Sequence, residues 1–136
     1  MKVYVAASFA RKAEVTALYE KLRGKGHEIT ADWTTHKFIV PYEDNQETAR
    51  AYATEDVNGV LESDIFILLA EDGNRRSTGG RFAELGTAIA SQILTGKPAI
   101  YIIVEKNYES MFYCHPNVKL KTDVDELIEE ISGRKR

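Results

Sequence analysis

Residues 64–94, DIFILLAEDGNRRSTGGRFAELGTAIASQIL, join a short apolar run to an amphipathic segment through a turn-rich stretch. The run Asp64–Ala70 has the length and composition of a buried β-strand. A glycine pair then opens a helix that is predicted to span Gly80–Leu94 and to end at Gly96. A strand followed by a helix in this way forms one βα unit of an α/β protein.

The same alternation of apolar runs and helical periodicity continues toward both ends of the chain. It predicts further strands at Lys2–Ala7, His27–Trp33, Pro98–Val104 and Val118–Leu120, and further helices at Lys12–Lys25, Asn45–Glu62 and Thr122–Ile131. Five strands that alternate with helices favour a three-layer α/β fold, with a five-stranded parallel sheet between helices on both faces. The order of the elements is flavodoxin-like.

The size and charge of the chain favour one compact domain that handles small molecules. Its 136 residues are 43% hydrophobic and carry a formal net charge of -3, so residues 1–136 are predicted to form a single domain. No basic surplus steers the protein toward a nucleic acid polymer or a membrane surface. No apolar run reaches membrane-spanning length, and we therefore expect a cytoplasmic protein. The expected partners are small molecules and further copies of the chain.

The sequence lacks the usual signatures of a metal or nucleotide cofactor. Cys114 is the single cysteine, which excludes an internal disulfide and a multi-cysteine zinc site. His27, His36 and His115 have no metal-ligand spacing with one another or with the cysteine. Neither a GxGxxG after the first strand nor a GxxxxGK[ST] is present. We expect no metal and no cofactor.

Glu84 is a candidate nucleophile. Ligands bind this type of sheet beyond the carboxyl ends of its strands, and the helix that carries Glu84 follows the third strand. Gly79 and Gly80 let the backbone approach a ligand closely, so Gly80 is a predicted substrate-binding position. The positive end of the helix dipole favours the ionised carboxylate, which can attack carbon. The alternative is an ordinary glutamate in the first turns of a helix.

Asp56 offers a second carboxyl group for the same chemistry. It lies inside the apolar stripe of the second predicted helix, which includes Val57 and Leu61, and burial there raises a carboxyl pKa as a general acid requires. Alternatively, it borders the stripe and pairs with Arg50 or with solvent. Two carboxyls whose pKa values differ suit glycosidic bond cleavage through a covalent glycosyl-enzyme, with retention of configuration.

Four more residues at this edge are candidates, and three of them have a second interpretation. The hydroxyl of Tyr4 reaches a neighbouring carboxylate, or its ring fills the core. The hydroxyl of Ser8 receives a sugar or phosphate, or it caps a helix. The aromatic face of Phe9 receives a base. Trp33, at the end of the second predicted strand, stacks on a base or covers the sheet.

Four motifs carry a resemblance to a known family. They are VYVAASF at residues 3–9, EDVNGV at residues 55–60, SDIFIL at residues 63–68 and GRFAELG at residues 80–86. In order and spacing the chain resembles the nucleoside 2-deoxyribosyltransferase family and its relatives, the 2′-deoxynucleoside 5′-monophosphate N-glycosidases, over nearly its whole length. That family has a flavodoxin-like fold with a five-stranded parallel sheet.

The resemblance implies a role for each residue at the centre of the site. Glu84 would attack C1′ of the deoxyribose, Asp56 would protonate the departing base, and Tyr4 would orient Glu84. Family members form dimers or larger oligomers in which a neighbouring subunit completes each site. By position, the segment with Ser110 and Met111 would reach the partner's site, where Ser110 would contact the 5′ end of the sugar.

Three functions follow from these observations. The first is transfer of deoxyribose from a nucleoside to another free base through a Glu84 adduct. The second is hydrolysis of a 2′-deoxynucleoside 5′-monophosphate, with Ser8, Arg11 or the pair Arg75 and Arg76 gripping the phosphate. The arginine pair is alternatively solvated. The third is a non-catalytic, flavodoxin-like nucleotide-binding module, although no acidic cluster of the phosphoacceptor type follows the first strand.

Overall fold

Strands and helices alternate along the chain and build one parallel sheet with helices on both faces. The computed structural model describes residues 1–71 and 79–133. Its strands are β1 (Lys2–Ala6), β2 (Glu28–Ile29), β3 (Ile65–Leu69), β4 (Ala99–Ile103) and β5 (Val118–Lys121). Its α-helices are α1 (Lys12–Gly24), α2 (Gln46–Glu62), α3 (Gly80–Thr95) and α4 (Val124–Ile131).

The strand order confirms the predicted fold class. The five described strands are all parallel and lie in the order β2-β1-β3-β4-β5, which is the flavodoxin-like order. Strand β3 is buried at every residue and pairs with β1 from Val3↔Ile65 to Ala6↔Leu68. The chain moves outward from β1 to β2 and returns to the other side of β1 at β3. The order therefore reverses between β1 and β3, and this fold binds ligands at that point.

The helices divide between the two faces of the sheet as right-handed crossovers require. Helices α2 and α3 pack against each other on one face. Helices α1 and α4 are joined by ion pairs of 2.9 Å between Lys21 and Asp125 and 2.8 Å between Lys25 and Glu129. The predicted apolar face of α1 is confirmed by its buried residues, which are Val15, Leu18, Tyr19 and Leu22.

Helix ends follow the glycine and aspartate signals in the sequence. Helix α3 begins after Gly79 at φ 89° and ends at Gly96 at φ 93°, a left-handed conformation that favours glycine. The carboxylate of Asp123 accepts the backbone N–H groups of Asp125 and Glu126 and caps α4. No helix in the described ranges is both long and apolar enough to cross a membrane.

The second predicted strand is much shorter than expected. Only Glu28–Ile29 pairs with β1, and the prediction that Trp33 ends a strand is wrong. The carboxylate of Asp32 accepts the N–H of Thr34 and starts a 3-10 turn at Trp33–Thr35. This side-chain bond replaces strand pairing and turns the chain across the end of β1.

Candidate active site

A cavity of 760 Å³ opens at the reversal point, between the loop after β1, the β2–α2 loop and the facing sides of α2 and α3. Six predicted site residues line it: Ser8, Phe9, Trp33, Asp56, Gly80 and Glu84. Tyr4 is fully buried in β1 and reaches Glu84 from the sheet. The fold therefore brings the two candidate catalytic carboxyls and the tyrosine to one place, as ligand binding at this edge requires.

Tyr4 satisfies both of its interpretations. Its hydroxyl donates a hydrogen bond of 2.9 Å to Oε2 of Glu84. Its ring is parallel to that of Phe66 within 2°, with the ring centroids 6.0 Å apart. Burial and the neighbouring charge of Glu84 raise the pKa of Tyr4, so the hydroxyl stays protonated and keeps donating.

Gly59 allows α2 to approach this tyrosine. A Cβ at Gly59 would lie 2.6 Å from Cβ of Ala31 and 3.1 Å from Cδ2 of Tyr4, closer than carbon atoms pack. Asp56 lies one turn earlier on the same helix. The close approach of α2 to β1 therefore also places Asp56 near Glu84. Gly59 belongs to the sequence motif at residues 55–60. A glycine inside a helix and beside its apolar stripe is the sequence signal for this close approach.

Glu84 is less acidic than the sequence predicts. Burial, and secondly the charge of Asp56, raises the pKa of Glu84 to about 8, while the hydrogen bond from Tyr4 opposes the rise. The expectation that the helix dipole keeps Glu84 ionised is wrong. Glu84 is the fifth residue of α3, beyond the first turn in which the dipole acts strongly, and the surrounding protein removes its water.

Asp56 points into the protein, as its place in the stripe predicts. Burial and the neighbouring Glu55 raise the pKa of Asp56 to about 6, and His36 opposes the rise. Oδ1 of Asp56 is buried without a hydrogen-bond partner among the described residues. The pKa values of both carboxyls therefore lie above their ordinary range, and the two groups titrate as a coupled pair.

His36 is a site residue that the sequence did not reveal. Its Nε2 lies 2.5 Å from Oε1 of Glu55, and its ring stacks on that of Tyr52 at 3.7 Å between centroids. Among the described residues, ligand atoms of His36, Glu55 and Asp56 lie within 4.8 Å of one another, close enough to share a metal ion. The hydrogen bond between His36 and Glu55 already accounts for much of this closeness. No local pattern joins a loop histidine to a helix 19 residues later.

Ser8 neither caps a helix through its hydroxyl nor leaves that hydroxyl free. Its Oγ donates to Oε2 of the buried Glu71 at 2.9 Å. Nη1 of Arg11 lies 3.5 Å from the same carboxylate oxygen and donates to the carbonyl of Ala70, while Nη2 pairs with Glu14 at 2.6 Å. Ser8 and Arg11, two of the residues proposed to grip a phosphate, are therefore both engaged with carboxylates.

Two aromatic residues form the wall beside Ser8. The rings of Phe9 and Trp33 lie 6.3 Å apart at a tilt of 40°. The indole N–H of Trp33 donates to the carbonyl of Val5 at 2.6 Å, which fixes the ring over the end of β1. Trp33 therefore covers the sheet, as one interpretation stated, and it also lines the cavity, while stacking on a base stays a prediction.

Arg81 is a second residue that the sequence did not reveal. Its side chain is buried, and its Nη2 pairs with Oε2 of Glu109 at 2.5 Å. Glu109 also accepts the hydroxyl of Tyr113 at 2.7 Å and the N–H of Glu71 at 3.0 Å. Nε and Nη1 of Arg81 have no hydrogen-bond partner within the described part of the chain. This network joins the first turn of α3 to the loop before β5.

Several predicted residues lie away from the cavity or outside the described ranges. Neither Ser110 nor Met111 is among the described residues that line the cavity. Met111 is 79% exposed, and Oγ of Ser110 accepts the N–H of Phe112. Arg75 and Arg76 fall outside residues 1–71 and 79–133. The roles of these four residues remain predictions.

Comparison with known proteins supports the fold through solved structures. No protein-family model and no curated protein matches the chain. The CMP N-glycosidase BcmB of Clostridium botulinum is similar at a TM-score of 0.58 and 19% identity, over 96% of this chain and 98% of that one. A 2-deoxyribosyltransferase of Bacillus psychrosaccharolyticus is similar at a TM-score of 0.60 and 16% identity, over 99% of this chain and 93% of that one. At such low identity, the likeness shows a shared fold.

Proposed function

We propose that the protein is a nucleoside 2-deoxyribosyltransferase, which cleaves the N-glycosidic bond of a deoxynucleoside and transfers the sugar to another base. The observation that carries this proposal is the bond from Tyr4 to Glu84, with the buried carboxyl of Asp56 facing the same cavity. The four sequence motifs support it. So do the named activities of the two similar structures, both of which act on glycosidic bonds of this type.

The proposed reaction has two displacements at C1′. Glu84 attacks C1′ and the C–N bond breaks, its electron pair going to the base nitrogen, which takes the proton of Asp56. A second base then attacks C1′, its nitrogen loses a proton to Asp56, and the bond to Glu84 breaks. Two inversions leave the configuration at C1′ retained.

The reaction needs the proton of the carboxyl pair on Asp56. Burial and the charge of Asp56 raise the pKa of Glu84, whereas attack requires the anion of Glu84. Positive charge developing at C1′ stabilises the anion of Glu84, and a base nitrogen beside Asp56 stabilises the protonated aspartic acid. The total proton count of the pair does not change, so this shift needs no exchange with solvent.

The surroundings of Ser8 favour a nucleoside over a nucleotide. A 5′-phosphate placed at Ser8 would meet the carboxylate of Glu71, 2.9 Å from the serine hydroxyl. Because Glu71 already accepts the Ser8 hydroxyl and pairs with Arg11, a phosphate would have to displace this carboxylate to reach either donor. An uncharged 5′-hydroxyl does not require both of these donors.

Hydrolysis of a nucleoside 5′-monophosphate is the second candidate function, and Arg81 is the observation that favours it. Nε and Nη1 of this buried guanidinium, which have no hydrogen-bond partner in residues 1–71 and 79–133, are donors that suit a phosphate oxygen. Arg81 also belongs to the cavity lining. In this case water, rather than a second base, would resolve the Glu84 adduct.

We also propose that the protein works as a homo-oligomer. The predicted apolar stripe of α2 is only partly buried, since Val57 and Leu61 are exposed. Ile93 and Leu94 of the neighbouring α3 are exposed as well, Leu94 to 81%. Contact between copies through this face would cover these side chains. Met111, with Ser110 beside it, would then reach the neighbour's cavity.

A base-exchange assay tests the proposed function. Incubation of a deoxynucleoside with a second free base is expected to yield the new nucleoside, and Glu84→Gln is expected to abolish exchange. Glu62→Gln, at an exposed carboxylate at the end of α2, is the matched control and should exchange as the wild type does. Hydrolysis of a deoxynucleotide without exchange would favour the second candidate. Wild-type protein inactive on both would favour a non-catalytic binding module.

A further inference from the structure

His36 and Glu55 aim two metal-binding atoms at one point beside Asp56. Nε2 of His36 and Oε1 of Glu55 lie 2.5 Å apart and are joined by a hydrogen bond. An imidazole nitrogen and a carboxylate oxygen are both ligands of Zn²⁺, which takes the place of the proton in such a pair. Ligand atoms of all three residues lie within 4.8 Å of one another. The cluster therefore offers one nitrogen and two oxygen ligands.

Asp56 supplies a separate observation that points to a cation. Its Oδ1 is buried, and no group in residues 1–71 or 79–133 donates a hydrogen bond to it. A buried acceptor without a donor costs free energy, which a bound cation would recover. His36 and Asp56 also line the cavity, so an ion can reach them from solvent.

The histidine is held in place before any ion binds. Its ring stacks on that of Tyr52 within 3°, with 3.7 Å between the centroids. The hydroxyl of Tyr52 in turn accepts the N–H of Lys37, the residue after His36, at 3.0 Å. The side chain of His36 is only 10% exposed. Outer contacts of this kind orient a metal ligand and reduce the entropy lost on binding.

Small movements are enough to close the three residues around one ion. Two ligand atoms of a tetrahedral zinc ion lie about 3.3 Å apart, each about 2.0–2.2 Å from the metal. The 2.5 Å contact is shorter than this separation, and the outer limit of 4.8 Å is longer. The side chain of Glu55 is 54% exposed, so it has room to adjust. Three protein ligands leave the fourth position of the ion to water.

We propose that His36, Glu55 and Asp56 bind a Zn²⁺ ion, which inhibits the protein by occupying the carboxylate of its acid. A nitrogen ligand favours Zn²⁺ over Mg²⁺, which prefers six oxygen ligands. Binding releases the proton shared by His36 and Glu55 to solvent. While the ion holds Asp56, that carboxylate cannot carry the proton that the departing base needs. The inhibition rests on the proposed function, whereas the binding does not.

Isothermal titration of the protein with zinc chloride tests the site without catalysis. Exchange of His36→Gln or Glu55→Gln for the wild type should weaken binding at least about 10-fold, because even the outer partners of metal ligands contribute about 10-fold to 100-fold. Glu62→Gln, at an exposed carboxylate of the same helix, and His115→Gln are matched controls and should keep the wild-type affinity. Thermal unfolding shows whether each variant is folded.

Three results of the titration would overturn the site. The first is a wild type that does not bind zinc. The second is an affinity that neither His36→Gln nor Glu55→Gln changes. The third is an affinity that His115→Gln abolishes, because the ion would then lie at His115 and the neighbouring, exposed Cys114.

Base exchange with and without Zn²⁺ tests the inhibition. Exchange by the wild type should fall in proportion to the occupancy measured by titration and return when EDTA removes the ion, and Mg²⁺ at the same concentration should not lower it. In His36→Gln the ratio of the rates with and without Zn²⁺ should move toward one. Full exchange by the zinc-loaded wild type would overturn the inhibition. Normal exchange without zinc binding refutes the site alone, whereas zinc binding at His36 in a protein that never exchanges bases refutes the proposed function alone.

Discussion

At the scale of single residues, the protonation of two carboxyls controls the proposed reaction. The productive form has one proton on the pair formed by Asp56 and Glu84. Below about pH 6 both groups are protonated and no nucleophile remains, and above about pH 8 both are ionised and no acid remains. We predict a bell-shaped dependence of kcat/KM on pH, with limbs near these two values.

Asp56→Asn separates the limbs of this profile. Without the acid, kcat should fall about 10²-fold to 10⁴-fold. The charge that raises the pKa of Glu84 is also removed, so residual activity should rise with pH through a pKa below 8 and show no alkaline decline. Steady-state rates from pH 5 to 9 measure both effects. An unchanged alkaline limb in this variant would contradict the assignment of Asp56 as the acid.

Tyr4→Phe isolates the hydroxyl that orients the nucleophile. The ring keeps its stack on Phe66, while the hydrogen bond that lowers the pKa of Glu84 is lost. We predict a fall in kcat of about 100-fold, little change in KM, and a shift of the alkaline limb to higher pH. Steady-state kinetics at several pH values measure kcat, KM and the alkaline limb, and thermal unfolding shows whether the variant is folded. A normal kcat would show that Tyr4 only fills the core.

At the scale of elements, close approach of α2 to β1 builds the site. Gly59→Ala places a methyl group against Ala31 and the ring of Tyr4, which should cost about 1–3 kcal/mol of unfolding free energy and lower kcat. Gly24→Ala, where nothing lies within 4 Å, is the control and should have little effect on either quantity. Urea unfolding measures the difference. Equal stabilities would mean that α2 does not depend on this contact.

The elements also show how far the sequence alone leads. The position of α3 is predictable because glycines mark both of its ends, and the position of Asp56 follows from a helical stripe. The end of β2 is not predictable from the sequence, because the hydrogen bond from the N–H of Thr34 to the carboxylate of Asp32 outweighs strand propensity. The pKa of Glu84 depends on burial among residues distant in sequence, and the contact between His36 and Glu55 joins a loop to a helix. Tertiary structure alone reveals such effects.

At the scale of the whole molecule, the exposed apolar face of α2 and α3 predicts self-association. Leu94→Arg should reduce the oligomer to a monomer, because a charge replaces the most exposed leucine of that face. Ala13→Arg, exposed on α1 at the opposite face of the sheet, should leave the mass unchanged. Light scattering after size-exclusion chromatography measures the molecular mass of both variants. A monomeric wild type that performs base exchange would refute the shared-site proposal.

The covalent adduct on Glu84 is the central claim for the whole molecule, and trapping it is the most direct test. A 2′-fluoro nucleoside analogue slows breakdown of a glycosyl-enzyme by destabilising positive charge at C1′. Mass spectrometry of the digested protein should find the fluorinated sugar on the peptide that contains Glu84, and Glu84→Gln should remain unlabelled. An adduct on a peptide without Glu84, or cleavage of the analogue by Glu84→Gln, would contradict the account.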